Sequence, residues 1–214
     1  MFSVDLDSAE LFLYDDIGPA WLGMVDDASV IDALAQLKGK RVTARINSNG
    51  GDMFMGVSIH NAFKRHPGGV DTVVDGLAAS AASMIFAAGE KRLIAKNGSV
   101  MIHNASSLFY GNGQEMIKWG ENLVKLSAGS VLESYTDVMN LDAEKIGALL
   151  DAETWFTAKE ALDVGLATEI GNVVTTPVAV AVGRFRNTPE NLLGPAKAGS
   201  RTRVETLIKL AKFK

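Results

Sequence analysis

No cysteine occurs in the 214 residues. Disulfides, thiolate metal sites and a cysteine nucleophile are therefore excluded, and a reducing compartment is permitted. Aromatic residues are sparse at 7%, and only three histidines are present, which confines imidazole chemistry to His60, His66 and His103. Long hydrophobic runs are missing too. The longest weakly polar stretch, 76–89, is too short and too rich in Ala and Ser to span a bilayer. Asp5 and Asp7 stand near the start in place of a basic n-region, so a cytoplasmic location and no membrane role are expected. There is no P-loop, no His-Glu-x-x-His helix and no Gly-x-Ser-x-Gly elbow, so nucleotide, metalloprotease and lipase chemistry lose support.

What is present suits one globular domain with a short appendage: 47% hydrophobic and 21% charged residues bury a sizeable core and leave no room for wholesale disorder. The net charge of −4 is unevenly spread. Residues 184–214 hold eight Lys/Arg and two acids, +6, which leaves −10 on residues 1–183. We read residues 1–175 as the domain, 176–200 as a linker and 201–214 as a basic tail. Val204, Leu207, Ile208 and Ala211 in that tail have helical spacing. A solvated terminus is the plain interpretation, with partner docking or nucleic-acid binding as the alternative.

Along the domain, strand-like apolar segments at 10–14, 41–46, 70–74, 92–95, 100–102 and 167–170 alternate with helical periods at 28–38 and from Met55 to Phe63. This alternation predicts an α/β fold. The stretch 76–89 reads as a turn feeding a small-residue helix. Residues 114–139 predict one helix of about 26 residues, about 39 Å long, which is more than a small core needs and so projects. Asp142 suits a helix cap, and Thr157-Ala-Lys-Glu160 has the capping-box pattern.

Three places can carry chemistry. His60 lies mid-helix and His66 beside the helix-ending Pro67, so both read as surface or supporting groups. His103 ends an apolar strand, where α/β folds gather side chains around a cleft. Ser80 opens the small-residue helix, where a hydroxyl stands beside free backbone N–H groups able to bind an oxyanion; a plain N-cap, or packing in which Ser83 serves equally, fits the spacing too. Asn47-Ser-Asn-Gly-Gly51 follows a strand and precedes a helix, so its glycines present N–H groups to a carbonyl or simply make a tight turn.

Taken together, Ile46-Asn-Ser-Asn-Gly-Gly51, Gly76-Leu-Ala-Ala-Ser80, Ala87-Ala-Gly89, Val100-Met-Ile-His103 and Trp155-Phe-Thr-Ala-Lys-Glu-Ala161 resemble the proteolytic subunit of the Clp protease and its phage-encoded head maturation relatives. The resemblance runs from about residue 10 to 170. It implies the Clp/crotonase-like α/β fold, built of repeated strand-strand-helix units with a projecting handle helix. It also implies that Ser80 is the nucleophile and His103 its base, which demotes Ser83. The Gly51 and Ala81 N–H groups then hold the oxyanion during acyl transfer. The family's orienting aspartate falls on Glu153, with Asp151 as the alternative. Asn49 replaces the proline usual before the paired glycines.

Fewer than ten residues precede the first strand, little for the axial segments through which the cellular enzyme engages its ATPase, so no dependence on an unfoldase is expected. Gly76-Leu-Ala-Ala-Ser80 and Asp151-Ala-Glu-Thr-Trp-Phe-Thr157 are more similar to the phage type, which implies a prohead peptidase trimming scaffold or capsid protein in the host cytoplasm or within the prohead. The handle implies a homo-oligomeric ring. No cofactor, metal or nucleic acid is expected. The competing functions are a crotonase-type acyl-CoA enzyme and a non-catalytic prohead assembly protein. A neutral histidine base makes cleavage rise with pH through about 6 to 7. The kcat/KM of peptide hydrolysis measured against pH checks this, and a flat profile there counts against His103.

Overall fold

The computed structural model describes residues 2–172 and 184–193. The chain divides into two units, Met1–Val178 and Ala179–Lys214. In the second, residues 184–193, part of the stretch read as a linker, contain a 3-10 turn at Glu190–Leu192. The basic segment 201–214, expected as an amphipathic helix, lies outside the described residues.

In the first unit the strands are β1 (Phe2–Asp5), β2 (Glu10–Leu13), β3 (Val42–Ser48), β4 (Val70–Ala79), β5 (Arg92–Ala95), β6 (Ser99–Ile102), β7 (Thr154–Thr157) and β8 (Glu169–Gly171). The helices are α1 (Asp27–Gln36), α2 (Met53–Arg65), α3 (Ala81–Ala87), α4 (Gly113–Leu126), α5 (Leu132–Thr136), α6 (Ala143–Asp151) and α7 (Ala158–Asp163). The sheet order is β1-β2-β3-β4-β5-β8, parallel from β2 onward, with β1 antiparallel on the edge. Strand β4 serves two partners. Its first half pairs with β5 and its last residues, Leu77 to Ala79, pair with β6, which in turn holds β7 antiparallel.

Strand β3 shows why this register holds. Val42, Ala44 and Ile46 are buried while Thr43, Arg45 and Asn47 between them are only half-buried, the period of a strand with one covered face. The alternation stops in β4 after Val73: every residue from Val74 to Ala79 is buried, Asp75 beneath the side chains of Tyr14 and Arg45. Helix α1 turns Val30, Ala33 and Leu34 inward and α2 turns Ile59, Ala62 and Phe63 inward, the i, i+3, i+4 pattern of an apolar stripe. Aspartates cap both: Asp26 accepts from the Ser29 N–H at 3.0 Å and Asp52 from the Met55 N–H at 2.9 Å. All seven residues of α3 are buried.

Four features differ from the sequence expectation. Residues 76–79, expected as a turn, complete the ten-residue β4; a run of Gly and Ala carries no strand signal, and pairing with β6 decides it. Strands β1 and β7 were not expected; each is four residues long and pairs with a single neighbour. The long helix is interrupted. After α4, which buries none of its residues, Ser127–Val131 form a π turn in which Gly129 has φ −102 and ψ −105, before α5 resumes. Ser127 supports this break by donating to the Leu123 carbonyl and accepting from the Ala105 N–H.

The turn between β3 and α2 packs backbone closely against backbone. The β3–β4 register jumps from Ile46↔Val74 to Ser48↔Ala78, and the Asn47 side chain spans the jump by accepting from the Leu77 N–H at 3.2 Å. Gly50 then takes φ 81 directly over the end of β4: a Cβ placed on it lies 2.4 Å from the Ala79 oxygen, 2.7 Å from Ser80 Cβ and 2.8 Å from the Ala81 nitrogen. Gly39 has a similar φ of 83 with nothing within 4 Å. Gly39→Ala therefore costs only left-handed backbone strain, about 1–2 kcal/mol, whereas Gly50→Ala adds overpacking and costs about 3 kcal/mol or more. Urea unfolding of the two variants measures the difference, and equal losses contradict the close approach at Gly50.

Candidate active site

Ser80 sits between β4 and α3 with φ 55 and ψ −127, one of three non-glycine residues at positive φ among those described. Such a conformation costs of order 1–3 kcal/mol and persists where its surroundings over-determine it. The surroundings here do so. The Ser80 N–H donates to the Met101 carbonyl at 2.9 Å, carrying the β4–β6 pairing past the strand end, and its carbonyl accepts from the Ser83 N–H at 2.9 Å. Gly50 closes the remaining side. The side chain therefore stands at a sharp strand-to-helix turn.

His103 directly follows β6. Its Nε2 is 2.7 Å from Ser80 Oγ. For the hydroxyl to donate in this contact, the imidazole proton sits on Nδ1 and Nε2 presents its lone pair. The two groups thus form a nucleophile and base pair within hydrogen-bond reach.

The two carboxylates considered from the sequence occupy different settings. Glu153 is 5% exposed and has φ 53 in the turn between α6 and β7. The antiparallel β6–β7 register pairs Ile102 with Thr154, so one step further sets His103 opposite Glu153. Asp151 is exposed at the end of α6 and accepts from Asn104 Nδ2 at 2.6 Å. The pairing brings Glu153, and not Asp151, to the level of the histidine.

Gly51 lies in an extended segment with φ 150 against Ile17. The Ile17 N–H donates to the Gly50 carbonyl and the Asp52 N–H donates to the Ile17 carbonyl, both at 2.9 Å. Alternation along an extended chain turns the Gly51 N–H to the opposite side, into the cleft that Gly51 lines with Ser80, Ala81 and His103. Ala81 is the first residue of α3, so its N–H has no partner in the helix. The cleft holds about 520 Å³. Its walls are chiefly apolar, with Met53, Phe54, Met84, Leu123 and Leu126 beside Trp119, whose ring stacks on Phe109 at 5.2 Å.

The other histidines lie away from this cleft. His60 Nδ1–H donates to the Met84 carbonyl at 2.8 Å, and burial lowers its pKa so that the neutral ring is favoured. His66, buried and not on the surface, donates from Nε2 to the Lys40 carbonyl at 2.9 Å. Among the described residues no group of three or more His, Asp or Glu side chains comes together, and no helix is long and apolar enough to cross a membrane. Sequence reasoning missed the hydroxyl of Tyr135, which falls within the helix expected over residues 114–139, and the contact it makes with Ser83. It also missed Asn47 as the bridge across the β3–β4 register jump.

Comparison with known proteins identifies the family. The Clp protease family model matches residues 23–174. The chain is 31% identical over 159 residues to the ATP-dependent Clp protease proteolytic subunit 3 of Rhodococcus jostii, covering 69% of this chain and 77% of that one. It is 30% identical over 158 residues to the proteolytic subunit of Bacteroides thetaiotaomicron, covering 68% and 70%. A variant of ClpP1 from Listeria monocytogenes has the same fold, with a TM-score of 0.66, 24% identity and coverage of 78% of this chain and 94% of that one. With a strand-end serine and histidine in hydrogen-bond contact and a family match over residues 23–174, from α1 through β8, the chain belongs to the Clp protease family.

Proposed function

We propose that the chain is a serine endopeptidase in which Ser80 is the nucleophile, His103 its base and Glu153 the group that orients the base, with the Gly51 and Ala81 N–H groups as oxyanion donors. The observation that carries this reading is the 2.7 Å contact between His103 Nε2 and Ser80 Oγ at the base of an apolar cleft. His103 takes the Ser80 proton as Oγ attacks the peptide carbonyl, and the two N–H groups meet the charge that develops on its oxygen. His103 then returns the proton to the departing amine, leaving an ester on Ser80. Water, deprotonated by the same imidazole, hydrolyses that ester.

Burial and the level of Glu153 beside His103 support its role, as does the cost of holding a glutamate at φ 53. A neighbouring carboxylate holds the imidazole proton on Nδ1 and stabilises the cation formed during attack. Helix α4, with Met116, Ile117 and Val124 exposed, is the surface we assign to packing between copies in a homo-oligomeric ring. All the groups the chemistry needs come from this chain and none is built to bind nucleotide, so short peptides need no ATP. The Gly76-Leu-Ala-Ala-Ser80 and Asp151-to-Thr157 motifs support the finer assignment to a prohead protease acting on scaffold or capsid protein.

Ser80→Ala abolishes hydrolysis of internally quenched peptides and of a purified prohead scaffold protein, both assayed without ATP; undiminished cleavage removes Ser80 from the mechanism. Glu153→Gln lowers kcat about 10²- to 10⁴-fold while Asp151→Asn stays within about twofold. The reverse ranking assigns the acid to Asp151.

A further inference from the structure

Two buried hydroxyls behind the nucleophile take no part in the chemistry described above. Ser83 lies on α3 and Tyr135 on α5; both are buried, and Tyr135 contributes to the lining of the cleft. Ser83 Oγ donates to the Ser80 carbonyl oxygen at 2.6 Å and lies 2.7 Å from the Tyr135 hydroxyl oxygen. A serine hydroxyl has one proton. The Ser80 carbonyl can only accept, so the Ser83 proton is committed there and Tyr135 is the donor in the second contact. Burial pushes the Tyr135 phenol far above its ordinary pKa, which keeps that donor protonated. The order is Tyr135 O–H to Ser83 Oγ, then Ser83 O–H to the Ser80 carbonyl.

What this chain of hydrogen bonds holds is a peptide plane. No peptide bond among the described residues is cis, so the Ser80 carbonyl and the Ala81 N–H point in opposite directions across one planar unit. The Ser83 hydroxyl, together with the Ser83 N–H that donates to the same oxygen at 2.9 Å, fixes the carbonyl and so the N–H on the other side, where Ala81 lines the cleft. The torsion that sets this plane is the Ser80 ψ of −127, part of a conformation that relaxes once its restraints are removed.

We propose that Ser83 and Tyr135 form a two-hydroxyl relay that positions the Ala81 N–H as an oxyanion donor. They are positioning residues that act through the Ser80–Ala81 peptide. The inference rests on the serine peptidase reading and adds to it which groups aim the second donor. Removing the relay weakens binding of the tetrahedral state while leaving substrate binding intact, because the oxyanion forms only after attack.

The test uses the full chain and its Ser83→Ala, Tyr135→Phe and double variants. It measures kcat and KM on an internally quenched peptide, affinity for a peptide boronate that mimics the tetrahedral state, and melting temperature. Ser83→Ala lowers kcat and boronate affinity together by about 10- to 100-fold with KM within about twofold. Tyr135→Phe gives a smaller loss of the same kind, and the double variant is no worse than Ser83→Ala, since Tyr135 acts through Ser83. Unchanged kcat and boronate affinity in both single variants overturn the relay, as does a loss confined to KM or one that follows the unfolded fraction. Should Ser83→Ala fail to fold, Tyr135→Phe decides by the same criteria, because it removes one oxygen and keeps the packed ring. Failure of the peptidase reading is distinguishable: the unmodified chain then shows no Ser80-dependent turnover, and the relay falls with it.

Discussion

The hydrogen bond from the Ser80 N–H to the Met101 carbonyl joins the end of β4 to β6, and the positions of the other site residues depend on that junction. Without it the chain has no reason to hold a serine at φ 55, and β6 loses the anchor at its far end. With it, the next residue but one after Met101 is His103, delivered to 2.7 Å from Ser80 Oγ. Strand β7 then pairs with β6, which sets Glu153 level with the histidine. Ser80, His103 and Glu153 thus ride on three neighbouring strand ends whose mutual register has a period of two, so a one-residue slip in either pairing turns a side chain to the wrong face.

This arrangement costs conformational energy in the turn and offsets it through the packing beneath. The fully buried α3, the close approach of Gly50 and the hydroxyl contacts beneath the turn together hold the Ser80 backbone in place. Preorganisation of that kind is what electrostatic stabilisation of an oxyanion needs, since donors already aimed at the reacting carbonyl require no reorganisation during attack. The same turn therefore explains both a backbone strain and a chemical capability.

Much of this was legible from the chain, for identifiable reasons. The period of two in β3 and the apolar stripes of α1 and α2 report one covered face each, and sequence patterns record that well. Ser80, His103 and the paired glycines each fit a plain structural role when taken alone, and it was the order and spacing of the segments resembling the Clp family that carried information. The illegible parts were decided by tertiary pairing. Gly76 to Ala79 carry no strand pattern of their own, and β7 exists because β6 offers an edge. The register that sets Glu153, and not Asp151, level with His103 is one that spacing cannot specify. The π turn at Ser127–Val131 was hidden because the apolar positions on either side stay in phase with one long helix.

The central claim is that Ser80, and not its buried neighbour Ser83, is the activated hydroxyl. Treating the full chain with a fluorophosphonate and mapping the adduct by peptide mass spectrometry tests it most directly. The account predicts one adduct, on Ser80, that disappears in His103→Ala; labelling of Ser83, or equal labelling of Ser80 with and without His103, contradicts it.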